Sequence, residues 1–275
     1  MPAPDAITVS QLLRLIGTPD APVLVDISID PDFDADPFLI PGAFRHPFTE
    51  IEALAPRLMG QRVVIMCQRG IKLSQGAAAL LRTLGVAAEV LEGGNYAWRD
   101  AGAPRIPASK LPNGPQCGSL WVTRHRPKID RIACPWLIRR FVDPAARFLF
   151  VAPAEVQGVA DRYGATPFDM PSMSGESGAW THRGDLCTFD VMVEEFGLAT
   201  DALLRLAAIV RGADTDRHDL APEAAGLMAA SLGLSRMYRD DLQQLEAGMG
   251  LYDAFYRWAR DATDETHDWP TARKP

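Results

Sequence analysis

Four cysteines in 275 residues are too few for a disulfide framework, and the lack of any Cys-x-x-Cys pair removes the commonest signature of structural zinc. Cys67, Cys117, Cys134 and Cys187 must therefore each be judged by their own surroundings. No stretch holds the roughly 18 apolar residues of a membrane span, and the opening Met1 to Ala6 carries neither a charged nor an apolar targeting region. The expectation is a cytoplasmic protein without a membrane partner. Repeats of roughly 20 to 50 residues are missing, which excludes solenoids and propellers. Positive charge is also short: 28 Lys and Arg stand against 35 Asp and Glu, a net charge of −7. Such a surface repels nucleic acid on average, so nucleic acid is not an expected partner and any anion site must be local. What is present is a globular composition, 47% hydrophobic, in a length that suits two domains.

The run from Ala101 to Ser119 is crowded with Pro and Gly, which can sustain neither a helix nor a central strand. It divides the chain into an N-terminal domain (1–106), a linker (107–118), a C-terminal domain (119–262) and a polar tail (263–275). Ahead of the linker, Pro22 to Ser28 and Arg62 to Cys67 are short, nearly continuous apolar runs, as strands covered on both faces should be. The Ala- and Leu-rich segment Ser74 to Leu84 reads as a helix closing at Gly85, with a further strand over Ala88 to Leu91. That alternation predicts an α/β domain, a parallel sheet flanked by helices. Beyond the linker, strands over Ser119 to Thr123 and Arg147 to Val151 flank a helix from Asp130 to Val142. The remainder reads as mostly helical, so the second domain is expected to be α+β and helix-rich. Its longest helix runs from about Tyr238 to Arg260, where Leu242, Leu245, Met249, Tyr252 and Tyr256 recur at spacings of three and four. Gly248 and Gly250 inside it suggest close packing or a kink.

Cys67 sits between a strand end and a helix start, in Cys67-Gln68-Arg69-Gly70-Ile71-Lys72-Leu73. A strand–loop–helix turn aims backbone N–H groups and the positive helix end at one point, which stabilises an anion there. A thiolate is such an anion, and Arg69 and Lys72 supply nearby cations. A small apolar residue closing a buried strand would look the same at Cys67 alone.

This loop and its surroundings resemble the rhodanese family over most of residues 7 to 106. Asp26 ends a strand, Ile40-Pro41-Gly42-Ala43 is similar to the family's proline-glycine turn, and Leu91-Glu92-Gly93-Gly94-Asn95-Tyr96-Ala97-Trp98 with Ala101-Gly102-Ala103-Pro104 is similar to its closing segment. The resemblance implies sulfur transfer: Cys67 takes a sulfane sulfur from a small donor, holds it as a persulfide and yields it to a thiol acceptor. Cys67, Arg69 and Lys72 are the catalytic candidates. Two features depart from the family. Ser28 stands where many members carry Arg, and the helix start aligns best if the loop is one residue longer than usual, a width that suits a larger oxyanion. Phosphatase-like relatives with the longer loop carry Arg where this chain has Leu73, which keeps sulfur transfer first.

In the second half, residues 121–140 hold Arg124, Arg126, Lys128, Arg131, Arg139 and Arg140 against Asp130 alone. Cations at alternate positions leading into a helix can converge on one oxyanion, and Arg124, Arg126, Lys128 and Arg131 are the candidates; a solvated basic face has the same composition. The segment from Thr181 to Phe196 reads as a helix from about Asp185, with His182 just ahead of it and Cys187 and Asp190 on one stripe. His182, Cys187 and Asp190 together offer nitrogen, sulfur and oxygen to a divalent transition metal such as zinc or iron. A capped helix with a buried cysteine and surface acids would show the same residues. Asp214 and Asp216 after one helix, or Glu223 at the start of the next, are further acids that could complete a site.

From Trp121 to Arg260 the chain resembles the C-terminal domain of the chromate-resistance B family. The segments that carry this are Lys128-Ile-Asp-Arg-Ile-Ala-Cys-Pro-Trp-Leu-Ile-Arg-Arg140, Ala165-Thr-Pro-Phe-Asp169, Gly184-Asp-Leu-Cys-Thr-Phe-Asp190 and Val210-Arg-Gly-Ala-Asp-Thr215. The resemblance implies a part in the response to chromate or a similar oxyanion. The combined reading is a rhodanese-type sulfurtransferase coupled to oxyanion stress. Its rivals are a non-catalytic oxyanion or metal sensor and a metalloenzyme whose active site lies in the C-terminal domain.

Overall fold

A computed structural model describes residues 5–170 and 180–265. The first part of the chain forms β1 (Ala6–Ile7), α1 (Val9–Leu15), β2 (Val23–Asp26), α2 (Asp30–Asp34), β3 (Phe38–Leu39), β4 (Ala43–Arg45), α3 (Ile51–Leu58), β5 (Arg62–Met66), α4 (Lys72–Thr83), β6 (Ala87–Leu91), α5 (Gly94–Asp100) and β7 (Ile106–Pro107). Five of these strands make one parallel sheet in the order β1-β6-β5-β2-β4. β5 is central, and its alternation sorts the core as a period of two requires. Val63 and Ile65 join Val25, Ile27, Ala78 and Leu81 on the α3 and α4 side. Val64 and Met66 face the other way, into a cluster that includes Leu12, Leu24 and Trp98 and runs on into Trp136, Phe141 and Tyr256 of the second part.

The second part forms β8 (Leu120–Arg124), α6 (Asp130–Leu137), β9 (Arg147–Val151), α7 (Val156–Tyr163), β10 (Thr166–Pro167), α8 (Thr188–Glu195), α9 (Asp201–Asp214), α10 (Ala224–Met237) and α11 (Asp241–Asp261). The strands make a small parallel sheet, β10-β8-β9, and the rest is helical, as expected of an α+β unit. α6 is apolar nearly all round: Ile132 through Leu137 are buried, and Pro135 is followed by a wider turn over Ile138–Val142. A fully buried Ile or Leu side chain contributes about 1.5–3 kcal/mol, and Ile132, Trp136 and Leu137 make α6 the hub of this half. α11 crosses it closely. A Cβ at Gly248 would lie 2.6 Å from Ile132 Cγ2, so this glycine serves close packing.

Three helix starts differ from the sequence expectation; one is α11, which begins at Asp241 rather than about Tyr238, where the Asp240 carboxylate accepts from the Gln243 N–H at 2.8 Å. α4 begins at Lys72 rather than Ser74, so the cysteine turn is two residues shorter than expected. α8 begins at Thr188 rather than Asp185, because the Asp190 carboxylate accepts from the Cys187 N–H at 3.0 Å and fixes the start at Cys187. The Pro- and Gly-rich run is tied down at several points: Arg45 N–H donates to the Pro115 carbonyl at 2.8 Å, Gly118 N–H to Asp143 at 2.9 Å, and Lys110 meets Glu195 at 2.5 Å. The tail beyond Glu265 lies outside the described residues. Among the described residues no helix is long and apolar enough to cross a membrane.

Candidate functional site

Cys67 follows the last residue of β5 and ends in the apolar layer beneath α4, buried at 5% exposure. Its Sγ lies 3.4 Å from Ser74 Oγ, and that hydroxyl donates to the Ile71 carbonyl at 3.1 Å. The loop is clamped from below by the Gly93-Gly94-Asn95 turn. Asn95 N–H donates to the Cys67 carbonyl at 3.1 Å and Tyr96 N–H to that of Gln68 at 3.0 Å. Gly94, at φ +60°, is required there, since a Cβ would sit 2.1 Å from the Cys67 oxygen and 2.4 Å from the Gly70 nitrogen. The same turn reaches Asp26, which accepts from Asn95 Nδ2 at 2.8 Å and from Ser28 N–H at 2.7 Å. Burial pushes Asp26 above its ordinary value despite those donors. Arg69 and Lys72 are exposed beside the loop.

A second concentration of chemistry lies in the other half. His182 Nε2 faces Asp214 Oδ2 at 3.3 Å, Asp130 Oδ2 at 3.4 Å and Asp169 Oδ1 at 3.5 Å. Asp130 opens α6, Asp169 follows β10 and Asp214 closes α9, so four separated segments meet. Asp130 is fully buried. Its Oδ2 accepts from Thr188 N–H at 2.7 Å, whereas its Oδ1 has no partner among the described residues. Asp169 accepts from Thr188 Oγ1 at 3.1 Å and pairs with Arg124 at 2.9 Å and Arg131 at 3.2 Å. Burial, reinforced by Asp214 and Asp169, lifts Asp130 to about 6 against the pull of His182. For Asp169 burial works upward too, but His182, Arg124 and Arg131 outweigh it and hold that carboxyl low. The three carboxylates drive His182 up to about 12.

Backbone strain gathers in the same region. The non-glycine residues with positive φ among those described are Arg126, Ile129, Asp169 and Asp216, each in the cluster or within four residues of one of its members. For a β-branched residue such as Ile129 this conformation costs on the order of 1–3 kcal/mol and needs outside support. Ser231 Oγ accepts from its N–H at 3.2 Å, and Tyr252 Oη donates to its carbonyl at 3.0 Å.

A family model described as "ChrB, C-terminal domain" matches residues 121–259. The chain belongs to the ChrB C-terminal domain family. A second family model, the rhodanese-like domain, matches residues 8–101. The chain is 35% identical over 141 residues to Protein ChrB of Cupriavidus metallidurans, an alignment covering 50% of this chain and 40% of that protein. It therefore spans well under two thirds of the curated relative it matches. Among solved structures, a rhodanese-related protein from Thermoplasma volcanium aligns at 20% identity and TM-score 0.32, covering 37% of this chain and 96% of that one. The thiosulfate sulfurtransferase from Pseudomonas aeruginosa aligns at 27% identity and TM-score 0.31, covering 38% and 20%.

Within the ChrB domain, the residues singled out in the sequence are not all brought together. Arg124 and Arg131 meet at Asp169, but Arg126 turns to the end of α10, bonding the carbonyls of Ser235 and Tyr238, and Lys128 is exposed. His182 stands among aspartates, apart from the Cys187 and Asp190 side chains: Asp190 pairs with Arg211 at 2.8 Å and caps α8. Burial and surrounding acids push the Cys187 and Cys134 thiols well above their ordinary value, so neither is a ready thiolate. The roles of Asp130 and Asp169 were missed. Asp130 reads in sequence as a helix cap, and the strained backbone that aims Asp169 leaves no local signal.

Proposed function

We propose that the chain is a sulfurtransferase-type protein that forms a persulfide on Cys67, coupled through its ChrB domain to a cytoplasmic response to chromate or a similar oxyanion. The observation supporting this most is the seating of Cys67 between the end of a central parallel strand and the start of α4, with Ser74 Oγ 3.4 Å from its sulfur. The Cys67 thiolate attacks the outer sulfur of a small donor such as thiosulfate. The donor's S–S bond breaks and sulfite leaves with the bonding pair, so that Cys67 carries the persulfide. An acceptor thiolate then takes the outer sulfur and restores the Cys67 thiolate.

Ser74 can serve both states, because a hydroxyl accepts from a thiol and, after rotation, donates to a thiolate. Arg69 and Lys72, exposed at the loop, draw in the anionic donor. Oxyanion binding through Arg124, Arg126, Lys128 and Arg131 requires the arginines to leave their partners, and Lys128 is the cation readiest to engage. The test is steady-state turnover with thiosulfate and a thiol acceptor. Wild-type protein turns over and Cys67→Ser does not; turnover retained in Cys67→Ser overturns the reading.

A further inference from the structure

We propose that Asp130, His182 and Asp214 bind one divalent first-row cation such as zinc or ferrous iron. This goes beyond sulfur transfer and concerns a different half of the chain. The geometry is unlike that of a simple ion pair. One imidazole nitrogen carries at most one hydrogen, yet Nε2 faces three carboxylate oxygens at 3.3 to 3.5 Å. A charge-assisted hydrogen bond would close to about 2.7–2.9 Å on one of them. Donors about 2.1 Å from a tetrahedral ion stand roughly 3.4 Å from one another, which is the spacing found for His182 with Asp130 and with Asp214.

An independent observation points the same way. Asp130 is fully buried, and its Oδ1 has no hydrogen-bond donor among the described residues. Buried carboxylate oxygens are ordinarily satisfied, and a cation held by both oxygens of Asp130, the Oδ2 that faces His182 and the neighbouring Oδ1, supplies what Oδ1 lacks. Asp130, His182 and Asp214 each offer a ligand atom, and these lie within 4.8 Å of one another. Beside them, Thr188 N–H donates to Asp130 Oδ2 at 2.7 Å, the kind of outer support that orients a metal ligand. The His182 side chain is 41% exposed, which leaves one side open for water or a further ligand.

The donor set is two oxygens and a nitrogen. Sulfur is not part of it: among the described residues the ligand atoms that converge are those of Asp130, His182 and Asp214, without Cys187, and Asp190 is committed to Arg211. Carboxylate and imidazole together suit zinc, iron or manganese better than the cuprous ion, which prefers thiolates.

The experiment uses the full chain, stripped with chelator, with Zn2+ titrated by calorimetry and Co2+ followed by absorption. One Zn2+ per chain is expected, with affinity lowered by about tenfold to a hundredfold in His182→Ala and in Asp214→Asn. Cys187→Ser leaves it unchanged, and the Co2+ spectrum lacks a thiolate-to-cobalt charge-transfer band. His182 is exposed, so its variant should fold, and circular dichroism verifies this; Asp214→Asn decides if it does not. Affinity unchanged in both ligand variants, or a charge-transfer band that disappears in Cys187→Ser, overturns the proposal. Persulfide formation measured on the same samples keeps this outcome separate from the sulfur-transfer reading.

Discussion

The cysteine loop draws its parts from one turn of chain, Cys67 through Ser74, whereas the aspartate–histidine cluster takes Asp130, Asp169, His182 and Asp214 from four segments. In the first, the backbone does most of the shaping: a strand ends, a glycine-rich turn presses from below and a helix begins. In the second, side chains do it, through two arginine pairs, a threonine and strained backbone at Ile129 and Asp169. A site made by consecutive residues can be recognised from their order. A site made by long-range packing leaves only its members in the sequence, scattered and individually ordinary.

That difference can be broken or sharpened by substitution. The largest expected effect is Cys67→Ser, which should abolish the sulfur adduct formed with thiosulfate, read by intact mass, while leaving cation binding in the other half unchanged. Next is Gly94→Ala. Its methyl group would collide with the Cys67 carbonyl and the Gly70 nitrogen at a positive φ, so a loss of roughly 3–5 kcal/mol in denaturant unfolding is expected. A loss under about 1 kcal/mol would mean that the turn does not clamp the loop as described.

Asp169→Asn probes the assembled site. It leaves Arg124 and Arg131 without their shared carboxylate and should cost about 2 kcal/mol, below the ~3–5 of a fully buried pair because Arg124 is 30% exposed. Persulfide formation should not change. The smallest effect concerns pH. Burial holds Asp26 above its ordinary 3.8, so the folded protein binds that proton more tightly than the unfolded chain does. Its contribution to stability is therefore fully present at low pH and lost as pH rises through the folded-state value. Asp26→Asn should flatten the fall in unfolding midpoint above about pH 4; an unchanged slope would assign it to another group.

Much of the fold was legible because its elements are locally consistent. β5 and β9 announce themselves as apolar runs rich in branched and aromatic residues, and α11 by its stripe from Leu245 to Tyr256. The start of α8 was misplaced because Asp185 is an ordinary cap residue and nothing in the sequence says that Asp190 fastens the Cys187 N–H instead. The same local habit grouped His182 with its sequence neighbours Cys187 and Asp190, when its partners arrive from α6, α9 and the turn after β10. Asp214 was noted as an acid that could complete a site, but no spacing rule joins it to Asp130. The basic run was legible as charge, though the division of its arginines between Asp169 and the end of α10 depends on where α10 stops.

The central claim is that sulfur chemistry belongs to one local loop and that the buried thiols of the other half take no part in it. Peptide mapping of the full chain after thiosulfate treatment tests this most directly, since it reads all four cysteines at once. Added sulfur on Cys67, with Cys117, Cys134 and Cys187 bare, is the result predicted. Sulfur on Cys134 or Cys187 with Cys67 unmodified would contradict it.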